Sequence, residues 1–106
     1  TAGEKYMVKH IVMWKIKDGE GHMTKAEIMA KIVADLTDLK DRIPEIVDLE
    51  VGASLTGGDM HFDMGLIVTF KRMDDVFVYA NHPDHVKVSD FIAKVRTERA
   101  TADIEV

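Results

Sequence analysis

The sequence predicts an α+β domain in which helices cover one face of a four-stranded antiparallel sheet, in the order β-α-β-β-α-β. Three observations carry this. The segment Tyr6 to Lys17, YMVKHIVMWKIK, alternates strictly between its two faces. Thr24-Lys25-Ala26-Glu27 has the form of a capping box, and it opens an apolar run at helical spacing that Pro44 closes. Two further strand-like runs then precede a second helical stretch that starts around Pro83.

Taken in order, the first strand places Tyr6, Val8, His10, Val12, Trp14 and Ile16 on one side and Met7, Lys9, Ile11, Met13 and Lys15 on the other. Period two with β-branched and aromatic residues is a strand signal. Large apolar residues on both sides mean that both faces are covered. Asp18-Gly19-Glu20-Gly21 breaks the strand. In the first helix Met29, Ile32, Val33, Leu36, Leu39 and Ile43 form the expected apolar stripe. Ile46 to Leu55 reads as a second strand, Gly57-Gly58 as a turn and Phe62 to Lys71 as a third strand. A short helix is expected over Asp74 to Ala80, followed by a break at Asn81-His82 and a helix from Pro83 to about Val95. The tail RTERATADIEV alternates weakly and is expected to close the sheet. This order is the ferredoxin-like arrangement.

Such a sheet leaves one face bare. Met7, Ile11 and Met13 would lie there beside Ile67, and an apolar patch of that kind marks an interface. A homodimer joined through the open sheet faces is therefore expected. The seven methionines suit adaptable core and interface filling.

Composition excludes several classes. The 106 residues suit one domain, 1–106, with a modest core. The absence of cysteine excludes a disulfide scaffold, a thiol nucleophile and a zinc-cysteine site, and it fits a reducing, cytoplasmic setting. A net charge of −5 without a basic segment argues against nucleic acid. No apolar run is long enough for a membrane span or a signal-peptide core. The chain opens Thr1-Ala-Gly, so Met7 is the expected native start, with residues 1–6 extraneous or disordered. Phosphate-binding glycine motifs and the G-x-S-x-G nucleophile elbow are absent.

The chemistry centres on histidine. His10 shares a strand face with Val8, Val12 and Trp14, which suits either a satisfied core histidine or one facing a pocket beneath the helices. In His82-Pro83-Asp84-His85, His82 suits an imperfect helix cap. His85 falls in the first helical turn, where the helix dipole favours the neutral ring, making it the best general-base candidate. Tyr79 suits either a core position or a ligand-orienting hydroxyl. Asp59, His61 and Asp63 on one strand face, or His82, Asp84 and His85, supply metal-competent groups. Neither has the i,i+4 spacing of a zinc helix, and no metal or cofactor is expected.

The stretches MVKHIVMWKIKDG, FDMGLIVTFKRMDDVFVYANHPDHVKVSDFI and VRTERATADIEV resemble the stress-responsive A/B-barrel domain family, with H-P-x-H and the first-strand V-K-H as the most specific elements. The resemblance implies a dimeric α/β barrel with two sheets packed face to face. The family includes plant stress-associated proteins, many bacterial members of unassigned function, and a plant polyketide cyclase. That cyclase makes olivetolic acid by an aldol condensation assisted by histidine and tyrosine. Carried over by motif, those roles fall on His10, His85 and Tyr79. The cyclase's third-strand histidine falls on Met64 and its first-helix tyrosine near Leu36, so the bacterial pattern fits better.

The resulting expectation is a small apolar pocket lined by Val8, Val12, Leu66 and Val88, with His10, His85 and Tyr79 as its polar groups. It would bind, isomerise or cyclise a small carbonyl or aromatic compound by proton transfer. A non-catalytic stress-response dimer and a cofactor-free oxygenase of the dimeric-barrel type are the alternatives.

Overall fold

The computed structural model describes residues 6–106. Apart from Tyr6, the segment expected to be extraneous lies outside the described residues. β1 (Val8–Ile16) is followed by β2 (Gly19–Glu20), β3 (Met23–Thr24), α1 (Lys25–Arg42), β4 (Asp48–Ala53) and β5 (Met64–Phe70). α2 (Met73–Asn81), α3 (Pro83–Val95) and β6 (Arg96–Glu105) complete the chain. The main sheet has the order β4-β5-β1-β6 with every neighbouring pair antiparallel, which is the ferredoxin-like α+β arrangement.

β1 is the central strand, and its alternation sorts the two faces. Val8, Val12, Trp14 and Ile16 are buried beneath the helices, where Leu66, Val68 and Phe70 of β5 join them. On the opposite face Ile11 lies across from Ile67 and from Ala102, and Met13 across from Gly65 and Ala100. Met13 is 39% exposed there and Ile104 42%, so this face is apolar and uncovered.

α1 starts as its capping box predicts. The Glu27 N–H donates to Thr24 Oγ1 at 3.2 Å, and the Thr24 N–H donates to Glu27 Oε1 at 2.9 Å. Each bond satisfies a donor that the first turn would otherwise leave unpaired. The helix ends at Ile43, whose extended backbone suits a residue before proline. Its buried stripe is Ile28, Ile32, Leu36 and Leu39, with Met29 and Val33 only partly covered. The expected stripe was therefore rotated slightly, omitting Ile28.

Strand bounds are tighter than expected: β4 is Asp48–Ala53 and β5 is Met64–Phe70. Asp63 shows why β5 starts where it does. Its N–H donates to Trp14 O at 2.9 Å, and its carboxylate accepts from the Ile16 N–H at 2.7 Å and faces Lys25 Nζ at 3.2 Å. The β2–β3 hairpin was not expected; Gly21, with φ +58°, supplies the left-handed residue in its turn.

At the α2–α3 junction, His82 ends one helix and caps the next. Its backbone is extended (φ −65°, ψ 132°), as proline demands of the residue before it, and its Nδ1 accepts from the Asp84 N–H at 3.1 Å. Among the described residues no helix is long and apolar enough to cross a membrane.

Candidate active site

β1 carries His10 on its helix-facing side, α2 carries Tyr79, and the turn at His82-Pro83 brings the first turn of α3, with His85, back over Tyr79. The ring centroids of Tyr79 and His85 are 4.2 Å apart, those of His10 and Tyr79 5.9 Å, and those of Phe70 and Tyr79 5.3 Å. His10 and the pair Tyr79 and His85, far apart in the chain, thus form one cluster.

Each histidine has one ring nitrogen committed. His85 Nδ1 lies 3.0 Å from the carbonyl of Ala80, in the last turn of α2. A carbonyl only accepts, so Nδ1 carries the hydrogen and neutral His85 keeps its lone pair on Nε2. The same bond satisfies a carbonyl that the end of α2 leaves without a helical partner. His10 Nδ1 lies 2.6 Å from Asp103 Oδ1, its partner across the β1–β6 ladder. That carboxylate orients the His10 ring and leaves its Nε2 uncommitted.

Burial sets the protonation states. The His85 pKa is lowered chiefly by desolvation, with His10, Arg99 and His82 adding repulsion and the Ala80 carbonyl opposing them. Burial therefore acts in the direction expected of the helix dipole, and the ring is neutral near pH 7. Tyr79 is 1% exposed and its hydroxyl finds no hydrogen-bond partner among the described residues. Burial pushes its pKa far above the ordinary value, so it remains an O–H donor. A buried donor without an acceptor costs about 1–3 kcal/mol.

These groups line a cavity of about 280 Å³ beneath the helices. Val12, Trp14, Leu36 and Leu66 give it an apolar floor, and Ser89, Ile92 and Ala93 of α3 form a wall. Val12 and Leu66 line this cavity. Val8 and Val88 do not. Val8 is packed in the core, and Val88 faces a separate open groove of about 310 Å³ between α1 and α3. In that groove Lys31 pairs with Asp35 and Arg42 with Asp38.

Arg96 and Arg99 also line the cavity, and sequence reasoning missed both. Residues three apart on a regular strand face opposite ways. Here the β1–β6 register shifts between Lys15 and Ile16: Ile16 pairs with Arg96, Lys15 with Glu98 and Trp14 with Arg99. Thr97 is the additional residue, and this bulge turns both arginines to the helix side. The only sequence signal was the concentration of arginine in the tail.

The metal-competent groups do not converge. His61 Nδ1 lies 3.0 Å from Thr56 Oγ1, the Asp63 carboxylate is occupied by Ile16 and Lys25, and His82 Nδ1 is occupied as a cap. Among the described residues no cluster of three or more His, Asp or Glu could hold a metal ion.

Residues 8–106 match the model of the stress-responsive A/B barrel domain family. The chain belongs to that family. Among solved structures, this A/B barrel domain is similar to a dimeric protein of unknown function and ferredoxin-like fold from Bacteroides fragilis. That protein is 33% identical, with a TM-score of 0.84 over 94% of this chain and 96% of the other. A dimeric ferredoxin-like protein of unknown function from Thermobifida fusca is 21% identical, with a TM-score of 0.80 over 95% and 92%. A hydroxynitrile lyase from Passiflora edulis is 18% identical, with a TM-score of 0.79 over 94% and 93%; at that identity the likeness shows the fold. No curated protein matches the chain.

Proposed function

We propose that this A/B barrel domain is a homodimer whose cavity binds a small carbonyl compound and moves a proton at the carbon beside the carbonyl. The observation that carries the reading is the Tyr79 hydroxyl, a buried donor without an acceptor among the described residues, against a neutral histidine. Such a group costs stability unless a ligand oxygen uses it.

In the reaction, His85 Nε2 takes the proton from the α-carbon. The C–H electron pair becomes the C=C bond of an enolate, and the carbonyl π pair moves onto oxygen. The Tyr79 O–H donates to that oxygen, and the Arg99 guanidinium adds positive potential nearby. The imidazolium then returns the proton to the same or a conjugated carbon, or the enolate carbon attacks a second carbonyl. His10, held by Asp103, is a second donor or acceptor at the floor. That a lyase from Passiflora edulis has this fold supports an enzymatic reading. The described dimers from Bacteroides fragilis and Thermobifida fusca, with the uncovered Ile11, Met13 and Ile67 face, support the homodimer.

The test is hydrogen–deuterium exchange at the α-carbons of butanone, 3-oxobutanoate and 4-oxopentanoate in D2O, followed by proton NMR. Exchange above the buffer rate is expected for at least one of them, and His85→Gln is expected to remove about 10²-fold or more of it. Exchange no faster than in buffer for all three would end the proton-transfer reading.

A further inference from the structure

The β6 arginines define a charge preference in the cavity. Among the described residues neither Arg96 nor Arg99 forms an ion pair, while the neighbouring carboxylates Glu98 and Asp103 are engaged by Lys15 and His10. Two unpaired guanidinium groups on one wall are unexpected in a chain of net charge −5. The β6 bulge, rather than regular strand geometry, puts them there together.

We propose that the ligand of this cavity is a small oxo acid, whose carboxylate is held by Arg99 and Arg96 at the β6 wall while its carbonyl oxygen takes the hydrogen bond of Tyr79. This rests on the cavity being the binding site named above and adds the class of compound it selects. A guanidinium fork matches the two oxygens of a carboxylate and remains charged at every relevant pH. Arg99 is exposed and Arg96 half-buried, whereas the Tyr79 hydroxyl is buried. Charge is thus read at the rim and the carbonyl in the interior. The Arg99 charge acts on both His85 and Tyr79. At about 280 Å³ the cavity lies near the lower limit of ligand sites, roughly 300–1,000 Å³, which favours a short acid.

The experiment is an NMR titration of the full chain with 4-oxopentanoate, its methyl ester and inorganic phosphate, following the ring signals of His85 and Tyr79 and the Nε–Hε signals of the arginines. The acid is expected to bind about tenfold or more tightly than the ester, moving both sets of signals. Arg99→Gln is expected to lower the acid's affinity about tenfold and leave the ester's unchanged. Equal affinity for acid and ester would overturn the proposal. So would acid binding that moves arginine signals but not His85 and Tyr79, phosphate binding as tight as the acid's, or no binding by any probe. The acid–ester comparison needs only the unaltered protein, so a folding defect in the variant would not obscure it. α-Proton exchange with equal acid and ester affinity would leave proton transfer standing and remove only the carboxylate preference. Tighter acid binding without exchange would do the reverse.

Discussion

At Tyr79 stability and chemistry pull in opposite directions. The ring fills the core against Phe70, and the hydroxyl brings a polar group that the fold does not satisfy. Tyr79→Phe keeps the ring and removes the unpaired donor. It is expected to stabilise the unliganded protein by about 1 kcal/mol, seen as a rise of roughly 4–8 °C in the thermal midpoint, while lowering α-proton exchange. A fall in the midpoint would mean that the hydroxyl has an acceptor after all. His85 gives the pH dependence. Its folded pKa lies below its unfolded value of about 6.5, so the unfolded chain binds more protons between the two values. Stability is therefore lost as pH falls from about 6.5 toward the folded pKa. Thermal midpoints at mildly acidic and neutral pH should drop more for the unaltered protein than for His85→Gln. The acid limb of the exchange rate should lie below pH 6.5, because only the neutral ring is a base.

Among the elements, the α2–α3 junction separates two roles within one short motif. His82 caps α3 and His85 faces the cavity. His82→Ala is expected to cost about 1 kcal/mol in denaturant unfolding, and His82→Ser to recover most of it, since a serine oxygen can accept the same N–H. An equal loss in both variants would show that the ring matters beyond its capping nitrogen. The elements most legible in the sequence are those whose signal is local. β1 is read from strict alternation, the start of α1 from Thr24 and Glu27, and the start of α3 from Pro83. The β2–β3 hairpin escaped notice because two-residue strands have no periodicity. Ile28 was missed because a helical stripe is wide enough to fit two adjacent phases, and packing against the sheet chooses between them.

For the whole molecule, half of the site lay beyond sequence reasoning because it depends on pairing between distant strands. His10 meets Asp103 only through the β1–β6 ladder, 93 residues apart in the chain. Val88 was expected in the pocket as an apolar residue near His85, yet its helical phase turns it toward α1 and the outer groove. The open sheet face was legible in the sequence, since Ile11 and Met13 alternate with core residues on β1. Covering that face is the expected function of the second copy. Ile67→Lys places a charge at its centre and is expected to yield monomers in sedimentation velocity, with a thermal midpoint that no longer rises with protein concentration. An unchanged dimer would locate the interface elsewhere.

Thr97 also has a consequence for descent within the family. The arginine pair depends on how many residues separate its members as well as on which residues they are. Loss of Thr97 would restore a regular ladder and leave both arginines on the helix side, but a homologue with one residue more between them would point one guanidinium through the sheet to the opposite side. Its fold would persist, because β6 is an edge strand and can slip locally, but its taste for anions would vanish. Insertions in this strand are therefore a route by which such a barrel can change its ligand without changing a residue of its core.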